Sequence, residues 1–139
     1  LLDRYDLDDV APGLSRPLGE ELLEPCVIHA PVVLRLARDG LLHAAAHITG
    51  GGFIENIPRA LPPGLGARIE LGSWPIPPVF GLVAEAADAS RDDMYGTFNM
   101  GVGMALVVAP DAVPAVLAGA GPAAFRIGGI TAGAGVTFA

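Results

Sequence analysis

Residues 46–62, AHITGGGFIENIPRALP, bring an imidazole (His47), a hydroxyl (Thr49), three consecutive glycines (Gly50, Gly51 and Gly52) and a carboxamide (Asn56) into one short stretch. A strand that ends at Thr49 and passes through glycines into a helix from Phe53 leaves backbone N–H groups free to converge on an anion, and the helix dipole adds partial positive charge there. Such a turn would cradle a phosphate. The same glycines also suit a tight strand-to-helix turn that needs positive φ and close packing, and their spacing leaves both uses open. His47 shares a strand side with Thr49 while Ile48 takes the other, so it is either a hydrogen-bonded packing residue or a proton-transferring one. Phe53 and Ile57 share a helix face one turn apart. Pro58 is expected to end or kink that helix, with Glu55 and Asn56 on its exposed side.

A second constellation is MYGTFNMGVGM, residues 94–104. In an extended chain Thr97 and Asn99 would share one face, Phe98 and Met100 the other, and Gly101 and Gly103 would let a backbone or a ligand come close. Tight sheet packing and a ligand site both satisfy this pattern. The histidines, His29, His43 and His47, lack compact metal-ligand spacing, so no metal site is expected. Cys26 stands alone, which excludes an internal disulfide or a cysteine cluster and reads as a buried structural thiol. All eight basic residues are arginine. An anion must therefore meet arginine, histidine or backbone N–H groups, and no lysine can act as a phosphate clamp or Schiff base.

The elements that would position these residues alternate in type. Residues 1–24 carry acids, prolines and glycines and read as a helical turn followed by a surface connector, with residues 25–139 forming the domain proper. Cys26–Ala30 reads as a strand, PVVLRLARDG from Pro31 as a helix stopped by Gly40, and Leu41–Thr49 as a buried strand. Gly64–Leu71 alternates as a strand and PPVFGLVAEAA suits a helix. Phe98–Ala109 reads as a strand, DAVPAVLAGAG as a helix, and Phe125–Ile130 and Val136–Phe138 as closing strands. The fold class is an α/β (α+β) layered sandwich, a mixed sheet with flanking helices.

At 139 residues and 14.1 kDa the chain has room for one domain. Its net charge of −7 lacks the basic face that nucleic acid requires. No apolar run is long enough to span a bilayer, and no signal-peptide pattern opens the chain, so the cytoplasm is the expected compartment. Hydrophobic residues make up 52 % and charged residues 17 %, which points to apolar surface covered by a partner. A start at Leu1 reads as one half of a longer polypeptide.

In this order AHITGGGFIENIPRALP and TFNMGVGMALVV resemble the C-terminal half of phosphoribosylformylglycinamidine cyclo-ligase (aminoimidazole ribonucleotide synthetase), and PLGEELLEP resembles its connector. The resemblance covers nearly the whole chain. It implies a dimeric purine-biosynthesis enzyme whose ATP-binding N-terminal domain is not in this chain, with ATP and magnesium held by the complete enzyme and none by this portion, which would be inactive alone. The family's reaction activates the formyl oxygen of formylglycinamidine ribonucleotide by phosphorylation, after which an amine nitrogen closes the imidazole ring with loss of phosphate. On this resemblance Gly50, Gly51 and Gly52 offer the phosphate cradle. His47 is the candidate catalytic residue, and Thr49, Asn56, Thr97 and Asn99 would orient substrate. Cys26, Val27, His29, Pro31 and Gly96 depart from the family's strings, the last in place of an arginine. The alternative is therefore a diverged, noncatalytic ligand-binding or assembly module on the same fold.

Overall fold

The computed structural model describes all of residues 1–139. Turns lead into a short helix α1 (Leu18–Leu22), followed by α2 (Ala30–Arg38), β1 (Ala44–His47), α3 (Gly52–Arg59), β2 (Leu65–Ile69), α4 (Pro78–Ala87), α5 (Arg91–Thr97), β3 (Met104–Val107), a 3-10 turn (Pro110–Ala112), α6 (Val113–Ala120), β4 (Gly128–Ala132) and β5 (Gly135–Phe138). The strands form two sheets. β1 and β3 pair antiparallel, with His47 opposite Met104. The second sheet runs β4-β2-β5, antiparallel on one side of β2 and parallel on the other.

α3 binds the two sheets together through the apolar face that Phe53 and Ile57 define. Phe53 is fully buried, stacks on Trp74 at 5.7 Å between ring centroids, and meets Tyr95 at 5.5 Å. Tyr95 in turn packs on Phe138 of β5 at 4.8 Å. Aromatic pairs at these separations contribute beyond the area they bury. Trp74 Nε1 donates to the Met100 carbonyl at 2.9 Å, so the indole enters the core without an orphaned donor. On the far side α2 lies against α6, with Leu36 buried and Arg35 donating to the Gly119 carbonyl.

Several expectations give way. No strand forms at Cys26–Ala30: residues 23–29 are irregular, Cys26 is exposed rather than buried, and α2 begins at Ala30. That apolar run pairs with neither sheet, and Pro31 draws its last residue, Ala30, into the first turn of α2. The long strand expected at Phe98–Ala109 shrinks to β3, because a turn with positive φ at Met100 and Gly101 takes its first residues, and Ser90 starts a helix, α5, just before it that was not expected. Ser90 Oγ accepts from the Asp93 N–H at 3.2 Å and Asp93 Oδ2 accepts from the Ser90 N–H at 3.0 Å, a reciprocal cap. The hydrogen bonds from Ser90 hold the Asp93 carboxyl below the usual range. Within the segment expected to be surface connector, Ala11 and Leu18 are buried, held by the Leu18 N–H to the Asp9 carbonyl at 2.8 Å. Pro58 does not stop α3 at once. It sits in the last turn and the helix ends one residue later.

Candidate functional site

β1 delivers the site by simple alternation: Ala46 and Ile48 are buried, while Ala45, His47 and Thr49 face outward. The Ile48 N–H donates to the Gly103 carbonyl at 2.9 Å, which extends the strand pairing to the edge of the turn. The chain then reverses through Thr49–Gly52, closed by the Gly52 N–H to the Thr49 carbonyl at 2.9 Å, and enters α3 with Gly51 as its N-cap at φ +90°.

The three glycines have different reasons to be glycine. Gly52 combines positive φ with close contact: a Cβ there would collide with the Tyr95 carbonyl oxygen and lie 3.0 Å from the Gly96 carbonyl carbon. The C-terminal end of α5 is thereby set against the start of α3. Gly51 needs its left-handed φ, and a Cβ on it would lie 2.6 Å from Glu55 Oε2. Gly50 has neither constraint, since its φ is ordinary and a Cβ would point into open space.

Asn56 organises this turn. It was expected on the exposed face of α3, yet it is only 8 % exposed, and its Nδ2 lies 2.8 Å from the Gly52 carbonyl, 3.2 Å from that of Gly50 and 3.3 Å from that of Thr49. The helical twist that buries Phe53 and Ile57 carries position 56 inward with them. A trans peptide unit points its N–H opposite to its C=O. Gathering those carbonyls around Asn56 therefore turns the N–H groups of Gly50 and Gly51 away from it toward the surface, and neither has an acceptor in the chain, while the N–H of the fully buried Phe53 lies beneath them. The result is a set of divergently supported, outward-facing donors at a helix N-terminus, the geometry that receives an anion.

His47 borders this turn and lines a cavity of about 220 Å³ with Ala45, Ala46, Asn56, Arg59 and Ala60. Its ring lies 6.4 Å from that of His29, edge to face. His29 rests where a Cβ on Gly103 would otherwise stand, which accounts for that glycine. Thr97 and Asn99 do not share a strand face: Thr97 is the exposed last residue of α5, and Asn99 lies in the following turn, its Oδ1 accepting from the Gly101 N–H at 3.0 Å. Its amide nitrogen is left available. The structure thus joins His47, Thr49, the glycines and Asn56 on one turn and brings the end of α5 to it. No three histidine, cysteine, aspartate or glutamate side chains converge as metal ligands anywhere. Arg59 was missed in the sequence, although its four-residue spacing from Glu55 signals the pair it forms, Nη2 to Oε2 at 2.8 Å.

Fold and site together define a mixed α/β domain whose glycine turn, with unpaired backbone N–H groups, lies beside a cavity that His47 lines. The chain belongs to the AIR synthase related protein family, as its C-terminal domain, whose model matches residues 2–139. It is 48 % identical over 139 residues to the phosphoribosylformylglycinamidine cyclo-ligase of Geobacillus kaustophilus, covering 98 % of this chain and 40 % of that protein. It is 48 % identical over 143 residues to the Bacillus subtilis protein of that name, covering 99 % of this chain and 41 % of the relative. The chain thus spans about two-fifths of the length of these curated relatives. Among solved structures, Escherichia coli HypE, a hydrogenase maturation protein, superposes with a TM-score of 0.62 at 24 % identity over 88 % of this chain and 40 % of that one, a likeness of fold.

Proposed function

We propose that this chain is the substrate-side domain of an ATP-dependent cyclo-ligase that converts formylglycinamidine ribonucleotide to aminoimidazole ribonucleotide, with the substrate's ribose phosphate held on the Gly50–Gly52 turn. The observation that carries this reading is the pair of N–H groups on Gly50 and Gly51 that Asn56 turns outward and that no group in the chain satisfies. A phosphate oxygen is the ligand best matched to such donors at a helix N-terminus. Thr49 and the free amide of Asn99 extend the polar rim, with Thr97 next to them at the end of α5. Asn56 acts by positioning backbone rather than by touching substrate. His47 stands at the cavity beside the cradle, placed to hold or move the proton released on ring closure.

ATP and magnesium belong to the remainder of the longer polypeptide. The residues of this chain do not fit that pair: there is no lysine, and no trio of metal ligands converges. An N-terminal ATP-binding half joined through residues 1–24, a homodimeric assembly and a cytoplasmic setting complete the proposal. A noncatalytic ligand-binding module is the second reading, and Gly96 favours it. A Cβ there meets only Ile54 Cδ1 at 3.5 Å, so the fold would admit the larger cationic residue that the chain lacks.

Gly50→Val in the complete protein tests the cradle, because the new side chain enters open space at a residue of ordinary φ. Substrate affinity, measured by calorimetry, should fall by about tenfold or more as charge-assisted bonds to the phosphate are lost, while the thermal midpoint stays at the parent value. Unchanged affinity in the folded variant would place the phosphate elsewhere. Tight binding without turnover in the parent would support the second reading.

A further inference from the structure

We propose that Arg59 is a phosphate-binding side chain of this site and that Glu55 holds it in reserve, so that substrate must draw the guanidinium from a carboxylate lying over the glycine turn. This rests on the proposed placement of the phosphate at Gly50–Gly52. Three features converge. Glu55 folds back toward the N-terminus of its own helix, and its Oε2 lies 2.6 Å from the position a Cβ on Gly51 would take. The same oxygen accepts from Arg59 Nη2 at 2.8 Å. Arg59 also lines the cavity that His47 and Asn56 share.

A carboxylate over an anion cradle has a definite sign. It places negative charge beside donors that the helix dipole has made positive, and it opposes an arriving phosphate. Its partner is the one arginine that lines this cavity, and a guanidinium matches phosphate through parallel N–H donors. The pair is also loosely held. Side-chain exposure is 67 % for Arg59 and 58 % for Glu55, and an exposed ion pair of this kind is weak enough that a dianion can displace the carboxylate. Glu55 and Arg59 thus oppose each other in binding: one delays the anion and the other receives it. A pair that merely supported the helix would have no such opposite effects on ligand affinity.

The complete protein should be assayed with formylglycinamidine ribonucleotide, with inorganic phosphate as a competing probe. Glu55→Gln should bind both about threefold more tightly. Arg59→Gln should bind them about tenfold more weakly, and Arg59→Lys should recover part of that loss. The double variant should fall between the single ones, because removing Arg59 alone leaves the Glu55 carboxylate unopposed over the turn. The changes should appear in KM and leave kcat in place, since the contact serves ground state and transition state alike. Affinities unmoved by either substitution, or weakened by both, would overturn the proposal and leave a surface ion pair. Gly50→Val separates this from the parent reading. If Gly50→Val weakens binding while the Glu55 and Arg59 variants do nothing, the cradle stands and the role of Arg59 fails. If Gly50→Val is silent while those variants shift affinity in opposite directions, Arg59 is confirmed as an anion contact and the glycine cradle fails.

Discussion

At the scale of single residues, the glycine triplet divides its labour between fold and ligand. Gly52 belongs to the fold. Any side chain there meets the Tyr95 carbonyl, which α5 fixes in place, and must also adopt φ +54°. Overpacking against backbone combined with left-handed strain should cost about 2 to 5 kcal/mol, so Gly52→Ala is expected to lower the thermal midpoint by roughly 10 °C or more. Gly50→Ala, with open space and ordinary φ, should leave it unchanged. Scanning calorimetry of the two variants checks the contrast, and equal melting points would remove Gly52 from the set of structural glycines. This division was not legible in the letters GGG, because only the approach of α5, some forty positions later, distinguishes one glycine from the next. Asn56 was hidden for a related reason: its polarity suggested solvent, while its place one turn beyond Gly52 on the buried arc of α3 put its amide among the turn's carbonyls.

At the scale of elements, the sequence was most readable where a start or stop signal stood beside a periodic run. Pro31 and Gly40 bracketed α2, Pro78 opened α4, and Gly121 closed α6, each close to its expected place. Reading failed where a strong apolar run overshadowed a cap. Ser90 and Asp93 carry the spacing of a capping box, yet the strand-like residues after Thr97 drew attention from the helix that ends there, and the turn at Met100 and Gly101 that cuts the expected strand short was missed as well. That cap has a measurable pH signature. The Asp93 carboxyl is held below the ordinary aspartate range, chiefly by its hydrogen bond with the Ser90 side chain. A depressed folded-state pKa contributes stability that is present above the unfolded value and lost as pH falls through the folded one. Asp93→Asn lacks this term. The parent should therefore melt higher than the variant near neutrality, with the gap narrowing as pH drops below about 4. A gap of constant size down to pH 2 would show that the carboxylate charge adds nothing to the cap.

At the scale of the whole molecule, the surface is too large for the mass. The chain exposes 8278 Å², whereas a folded monomer of 14.1 kDa is expected to expose about 6,700 Å², and the excess is about twice the roughly 800 Å² that one partner gives to a standard interface. Five of the thirteen exposed large hydrophobics, Leu22, Leu23, Val27, Ile28 and Leu34, fall in one segment, and Leu23 and Ile28 are the two most exposed of all. Here too lies Cys26–Ala30, the run that read as a strand and pairs with no strand of the chain, so the missing pairing and the uncovered side chains have one explanation if another polypeptide surface lies against them. A positive mean hydropathy of +0.52 in a chain that buries only 18 of its 139 residues points the same way. Under the proposed function the rest of the longer polypeptide is the occupant, and in its absence a second copy would serve. Sedimentation of the 139-residue chain at micromolar concentration should show a dimer or larger species. Ile28→Asp should shift it toward monomer, because Ile28, at 80 % exposure, loses no internal packing when it is replaced. The same substitution in the complete protein should loosen the contact between its halves, raising proteolytic cleavage between them while each half keeps its own melting transition. A monomeric parent whose complete form cleaves no faster with Ile28→Asp would show that this face stands free in water.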